Sequence, residues 1–103
     1  MKDYSSASLD EVALPTVMQA LSDPGRIAIL QALLENGELA CNEIPLKVAK
    51  ATVSHHFAIL REAGLLQTRT SGTKCLSSIP MDAVESHFPG LLALVKNSGM
   101  GTI

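Results

Sequence analysis

The stretch Lys50–Gly64, with the sequence KATVSHHFAILREAG, combines an apolar repeat with hydrogen-bonding side chains. At 3.6 residues per helical turn, Val53, Phe57 and Leu60 fall on one side of a helix, and His55 falls on the other side. The first side is expected to pack against a core. The second side would present small and hydrogen-bonding groups to a partner.

The groups on the second side suit the recognition of phosphate and base edges. The hydroxyls of Thr52 and Ser54 could bond to either. His55 could donate to a purine acceptor, and the small Ala51 allows close approach or contact with a thymine methyl group. His56 lies on the flank of the packed side, about 100° around the helix from His55, so the two imidazoles do not converge on one ion. His56 is therefore predicted to be a structural hydrogen-bonding residue.

This stretch lies in the basic part of an otherwise acidic chain. The 103 residues carry a formal net charge of −2, but the segment from Lys47 to Lys74 holds five basic residues against one acid, Glu62, and carries +4. The remainder carries −6. A concentrated basic segment is the electrostatic footprint of a surface that binds nucleic acid. The predicted DNA-contacting residues are Lys47, Lys50, Ala51, Thr52, Ser54, His55, Arg61, Arg69, Thr73 and Lys74.

Helical patterns precede this stretch. Near-helical apolar spacing predicts a first helix over Asp10–Leu21. A second helix begins at Asp23, a capping residue, and Pro24, which suits the first helical position; it ends at Asn36-Gly37. A third, shorter helix is predicted over Cys41–Val48, which contains a proline.

A hairpin follows the basic helix. Leu65–Thr70 and Cys75–Ile79 read as two strands around a glycine-containing turn at Ser71–Lys74. Asp82 favours the start of a last helix, and Pro89-Gly90 is expected to break it. The whole pattern predicts a mainly α fold with a small β-hairpin wing: four helices, the hairpin and a last helix, arranged as a winged helix-turn-helix.

A winged helix-turn-helix places the second helix of its pair in the major groove and the wing beside the backbone. We expect one such domain over residues 10–96, with flexible ends at 1–9 and 97–103. No stretch approaches the roughly 20 apolar residues of a membrane span, and the start MKDYSSASLDEV lacks the layout of a signal peptide. The sequence therefore predicts a cytoplasmic protein with no membrane partner.

Three segments together resemble one known family. Leu21–Leu30 resembles the motif L-x-D-P-x-R-x-x-I-L, Gly37–Ile44 resembles G-E-L-x-V-C-D-L, and Thr52–Leu65 resembles the recognition-helix motif T-V-S-H-H-L-x-x-L-x-x-A-G-L. In this order and spacing, they are similar to the ArsR (ArsR/SmtB-type) family of winged-helix repressors over about residues 15–95. The resemblance implies a homodimer formed by the first and last helices, which binds a pseudo-palindromic operator and is released by an inducer or oxidant.

The signal that such a protein would sense stays open. Metal-sensing relatives use paired cysteines in the second motif, where this chain has only Cys41, with Leu39 in the partner's place, so no metal site or cofactor is predicted. Cys41 and Cys75 are either small buried apolar residues or a thiol sensor. A disulfide needs Cα atoms within ~7 Å, and a third-helix residue is not expected to lie that close to a wing strand. An organic inducer leaves no local pattern.

Two other functions are alternatives to DNA binding. An enzyme would need a nucleophile, a base and an orienting group, or a glycine-rich phosphate loop, and neither pattern is present. A winged-helix module that binds another protein is the alternative. The basic segment with small polar residues favours DNA over that alternative.

Overall fold

The computed structural model describes residues 12–44 and 46–98, which contain five α-helices and three strands. In chain order the elements are α1 (Leu14–Ala20), α2 (Pro24–Asn36), β1 (Glu38–Ala40), a 3-10 turn (Cys41–Glu43), α3 (Lys50–Glu62), β2 (Gln67–Ser71), β3 (Lys74–Ser78), α4 (Met81–His87) and α5 (Leu91–Lys96). None of these helices has both the length and the apolar character needed to cross a bilayer. The mainly α fold with a wing is confirmed.

The ends of α2 follow from local chemistry, as predicted. The carboxylate of Asp23 accepts a hydrogen bond from the Gly25 N–H at 2.7 Å, and Pro24 occupies the first helical position. That bond is the main cause of a lowered pKa for Asp23. The carboxylate therefore stabilises the fold above its unfolded pKa, and this contribution is lost as the pH falls through the folded value.

The wing is confirmed, and it belongs to a larger sheet than predicted. Strands β2 and β3 form an antiparallel hairpin in which Arg69 lies opposite Leu76. Strand β1 pairs with the other edge of β3, with Glu38 opposite Ser78, so the strand order is β1-β3-β2. A strand of three residues is too short to produce a recognisable alternating pattern, and for that reason β1 was missed.

The predicted third helix over 41–48 is wrong. Only Cys41–Glu43 forms a single 3-10 turn, in which a Glu43 carboxylate oxygen accepts from the Ala40 N–H at 2.7 Å. Ile44 has an extended backbone (φ −73°, ψ 123°). A residue before proline is disfavoured in the α region, and the proline at position 45 has no N–H to donate. The chain therefore reaches α3 through a strand, a turn and a connecting segment.

The remaining helices bear out the predictions in part. The last helix is broken, as predicted, because Gly90 adopts φ +87° between α4 and α5. The first helix is present as α1, but it begins at Leu14 and not at the predicted Asp10, because Ala13 is an extended N-cap and Pro15 suits only the first turn of a helix. Asp10 itself lies outside the described residues. The predicted flexible ends 1–9 and 97–103 also lie largely outside them.

One apolar core joins all five helices to the base of the wing. Its centre is formed by completely buried side chains of α2 and α3, together with Leu65 and Leu66, which follow α3. The largest completely buried side chains are Ile29, Leu30, Leu33, Leu60, Leu65, Leu66, Val17 and Val84. One side of α3 packs against this core, and the other side is exposed to solvent.

Candidate nucleic-acid interface

Helix α3 presents the predicted contact residues on one exposed arc. At about 100° per residue, Lys50, Ser54, Ala51 and His55 follow one another around the helix, and all four side chains are exposed. The buried positions His56, Leu60 and Phe57 occupy the remaining arc, which borders the exposed arc where Phe57 lies beside Lys50. Of the ten predicted contacts, nine are exposed and Arg61 is half-buried.

A buried arginine ties α3 to the end of α1. Arg26 is 8% exposed, and its guanidinium donates to the carbonyl oxygens of Ala20 at 2.6 Å and Gln19 at 3.3 Å. Its third contact is Nδ1 of His56, at 3.2 Å. Because a guanidinium can only donate, we assign Nδ1 as an acceptor and the ring proton to Nε2, which lies 3.8 Å from the Asp23 carboxylate. His56 is thus a structural hydrogen-bonding residue, as predicted.

Gly25 permits this close packing of α2 against α3. A Cβ atom at position 25 would lie 3.0 Å from His56 Nε2 and 3.0 Å from an Asp23 carboxylate oxygen. Contacts this short force neighbouring atoms to move. The glycine therefore allows the imidazole to reach Arg26.

The wing carries an arginine that is already engaged. Arg69 donates two hydrogen bonds to the Glu38 carboxylate, both at 2.9 Å, across the sheet from β2 to β1. The Arg69 guanidinium lowers the pKa of Glu38, mainly through these bonds, and Glu38 raises the pKa of Arg69. Thr73 and Lys74 are exposed at the turn of the wing. The ion pair offsets part of the positive charge that the sequence assigns to the wing.

Sequence reasoning missed the partners of Arg26 and Arg69. Arg26 stands in the L-x-D-P-x-R motif, but its contact His56 lies 30 residues further along the chain. Glu38 lies outside the basic segment from 47 to 74 and contacts a residue 31 positions away. No local pattern reports contacts at these separations.

The two cysteines lie closer together than expected. Strand β1 leads directly into Cys41, and the Cys41 thiol interacts with the thiol of Cys75 on β3. Burial is the main cause of a raised pKa for the Cys41 thiol. Within residues 12–44 and 46–98, no group of three or more His, Cys, Asp or Glu side chains is placed to hold a metal ion.

Comparison with protein families places this region among known regulators. Residues 23–68 match the family model described as bacterial regulatory protein, arsR family. The match begins at the N-cap of α2 and ends within β2, so it includes α3 and both Arg26 and His56.

Curated relatives extend the similarity. The chain is 38% identical over 86 residues to an uncharacterized HTH-type transcriptional regulator, YceK of Bacillus subtilis strain 168, covering 81% of this chain and 86% of that protein. It is 41% identical over 63 residues to the arsenical resistance operon repressor of Staphylococcus xylosus, covering 59% of this chain and 60% of that protein.

Solved structures share the fold. One is the crystal structure of an ArsR family transcriptional regulator, with a TM-score of 0.59 and 29% identity over 71% of this chain and 85% of that chain. Another is reduced HlyU from Vibrio cholerae N16961, with a TM-score of 0.64 and 25% identity over 79% of this chain and 82% of that chain. The shared fold includes the helices that position the exposed arc of α3.

Proposed function

Because this chain belongs to the arsR family of bacterial regulatory proteins, we propose that it is a homodimeric repressor that binds a pseudo-palindromic operator through α3 and the wing. It is a DNA-binding transcriptional regulator and not an enzyme. The finer proposal concerns its dimeric state, its contact residues and its release from DNA by an inducer or oxidant.

The observation that carries the proposal is the two-sided character of α3. One side is held by the core and by Arg26, while the exposed side offers Ser54 and His55 between basic residues. A recognition helix needs both properties, because base contacts depend on a rigid position in the groove. Lys47, Lys50, Thr73 and Lys74 are also exposed and supply candidates for phosphate contacts.

The test is a selection of genomic DNA fragments by the purified protein across a series of salt concentrations. We expect a symmetric site, with an affinity that falls steeply as salt increases. A double variant, Ser54→Ala with His55→Ala, is expected to lose sequence preference while keeping most of the salt dependence, because it removes base-reading groups and no charge. If no fragment is enriched at any salt concentration, the DNA-binding surface is wrong and the protein-binding alternative takes its place.

Dimerisation is proposed to use α1 and the helices after the wing. Leu14 and Met18 on α1 are 53% and 44% exposed, Met81 on α4 is 48% exposed, and Leu94 on α5 is 68% exposed. Large apolar side chains left in water on these helices favour burial against a second copy.

We expect Leu94→Glu to convert the dimer to a monomer. Burial of one leucine contributes about 2 kcal/mol, and two-fold symmetry counts it twice, so the dissociation constant should rise about a thousandfold. Sedimentation of both proteins at matched concentrations measures this change. Val48→Glu is the matched control, because Val48 is 47% exposed but lies in the connecting segment before α3. A variant that remains dimeric would exclude Leu94 from the interface.

A second prediction concerns the ion pair on the wing. Glu38→Gln removes the carboxylate that engages Arg69 and leaves the guanidinium available for phosphate. We expect operator affinity to increase about tenfold, and the log–log salt slope of the dimer to become steeper by about 2. Glu35→Gln is the control, since Glu35 is an exposed acid of α2 outside the wing. Equal slopes for the two variants would mean that Arg69 does not contact DNA.

A further inference from the structure

The strongest unassigned feature is the meeting of the two cysteines where the wing adjoins the turn before α3. The pairing of β1 with β3 sets Ala40 opposite Leu76. Cys41 directly follows Ala40 as the first residue of the 3-10 turn, and Cys75 directly precedes Leu76 on β3, so the two cysteines are neighbours at the end of this pairing. The paired residues themselves lie about 4.5 to 5.5 Å apart at Cα, and a disulfide spans Cα separations up to about 6.8 Å.

Both thiols lie on one face of the sheet. Side chains alternate along a strand, so Cys75 and Ser77 share a face. The Cys41 Sγ lies 3.9 Å from the hydroxyl of Ser77 and also interacts with the Cys75 thiol. Ser77 is completely buried and shares a hydrogen bond of 3.2 Å with the Thr68 hydroxyl. Cys41 is therefore directed toward Cys75 by a neighbour that is itself fixed.

The pair can be reached from solvent. Both cysteines are half-buried and free. They line an open groove whose other walls are formed by Ala40, Asn42, Glu43, Thr73 and Lys74. A small oxidant can enter this groove without unfolding the chain.

We propose that Cys41 and Cys75 are a redox-sensitive dithiol that peroxides oxidise to an intrachain disulfide, and that this disulfide weakens DNA binding. The effect on DNA rests on the proposed function, whereas the disulfide does not. In the first step with hydrogen peroxide, one thiolate attacks an oxygen, the O–O bond breaks, and the products are a sulfenic acid and, after proton transfer, water. The second thiolate then attacks the sulfenic sulfur, the S–O bond breaks as the S–S bond forms, and the departing hydroxide takes up a proton to become a second water. The two thiols lose two electrons and two protons in total, and the peroxide takes them up.

The surroundings of Cys41 indicate that Cys41 is the thiol that attacks the sulfenic acid, and that Cys75 is the thiol that peroxide oxidises first. Burial raises the pKa of the Cys41 thiol, and the neighbouring Cys75 thiol raises it further, against the lowering effects of the Ser77 hydroxyl and the Arg61 cation. A raised pKa lowers the thiolate fraction of Cys41 at a given pH, which slows its direct reaction with peroxide. The thiolate that forms is the more nucleophilic for its higher pKa, and the contact with Cys75 places it to attack a sulfenic sulfur there.

The disulfide would link the wing to the segment that leads into α3, and α3 and the wing must contact DNA at the same time. Cys41 precedes the segment that leads into α3, and Cys75 directly follows Lys74 at the start of β3. A disulfide brings the two Cβ atoms to about 3.8 Å, closer than in an unbridged pair, and so pulls the start of β3, next to the turn of the wing, toward the 3-10 turn. A wing displaced relative to α3 no longer matches the spacing between groove and backbone.

Peroxide treatment of the reduced protein, followed by peptide mapping without reductant, tests the disulfide. We expect both thiols to disappear into one peptide pair that joins Cys41 to Cys75, and dithiothreitol to restore them. Affinity for a fragment selected by the reduced protein should fall at least about fivefold on oxidation and recover on reduction. Cys41→Ser and Cys75→Ser should each keep the affinity of the reduced protein and lose the response to peroxide, while circular dichroism checks that they fold.

The outcomes distinguish the formation of the disulfide from its effect on DNA binding. Thiols that stay free in peroxide, or disulfides that form only between molecules, would overturn the dithiol site. An intrachain disulfide with unchanged affinity would overturn its effect on DNA. If the reduced protein selects no DNA, the proposed function and the coupling to DNA both fail. The peptide map of the wild-type protein decides the dithiol site in that case as well.

Discussion

Replacement of Arg26 by Met should lower the free energy of unfolding by about 3 kcal/mol, because the apolar side chain leaves a buried carbonyl group without its charged donor. That acceptor is the Ala20 carbonyl oxygen at the end of α1, whereas the Gln19 carbonyl oxygen also accepts from the N–H and the hydroxyl of Ser22. The substitution also strips His56 of its Nδ1 partner. In a domain of this size, the loss corresponds to a Tm about 15 °C lower.

Arg69→Met provides a matched control for this stability prediction. Arg69 also forms an ion pair, but its side chain is 62% exposed, and solvent screening leaves an exposed pair with little effect on the free energy of unfolding. Urea titrations of both variants at one fixed protein concentration compare them under the same dimerisation equilibrium. Equal losses of stability would contradict the assignment of Arg26 as the residue that joins α1 to α3.

Simultaneous replacement of Lys47, Lys50 and Lys74 by Ala should weaken operator binding by about five orders of magnitude near 0.1 M salt. All three side chains are exposed, on the segment before α3, at the start of α3 and at the wing turn. Each lost phosphate contact makes the log–log salt slope shallower by about 0.9, so a dimer that loses six contacts should show a slope shallower by about 5.

The control for the lysine variant is Lys96→Ala. Lys96 is exposed at the end of α5, outside the basic segment, and its removal should leave the salt slope nearly unchanged. Fluorescence anisotropy with a fragment from the selection measures affinity at each salt concentration. A triple variant with the wild-type slope would mean that the positive charge of the segment does not contact phosphate.

Elements with local signals could be predicted from the sequence. Asp23 and Pro24 mark the start of α2 through their own bond and ring geometry, and Gly90 breaks the last helix through its backbone conformation. The exposed arc of α3 follows from the same periodicity that buries Phe57 and Leu60. In each case the deciding interaction lies within a few residues.

The features that the sequence did not predict depend on residues that are far apart along the chain. The apolar spacing from Cys41 to Val48 resembles a helix, but Pro45 and the pairing of β1 with β3 override it. The contacts of Arg26 with His56 and of Arg69 with Glu38 join residues 30 and 31 positions apart. The approach of Cys41 to Cys75 likewise depends on the register of two strands that lie on either side of α3. Such pairs become visible only when the tertiary fold is known.

The two strand pairs of the small sheet join residues at very different sequence separations, and this affects how the chain folds. Strands β2 and β3 are joined only by Gly72 and Thr73, so their pairing closes a short loop at little entropic cost. Strand β1 meets the same β3 only across a segment that contains the whole of α3. High contact order makes that second pairing slow. The wing hairpin is therefore expected to form early in folding, and β1 is expected to complete the sheet late. A disulfide between Cys41 and Cys75 that forms during refolding would then mark the step at which β1 pairs with β3.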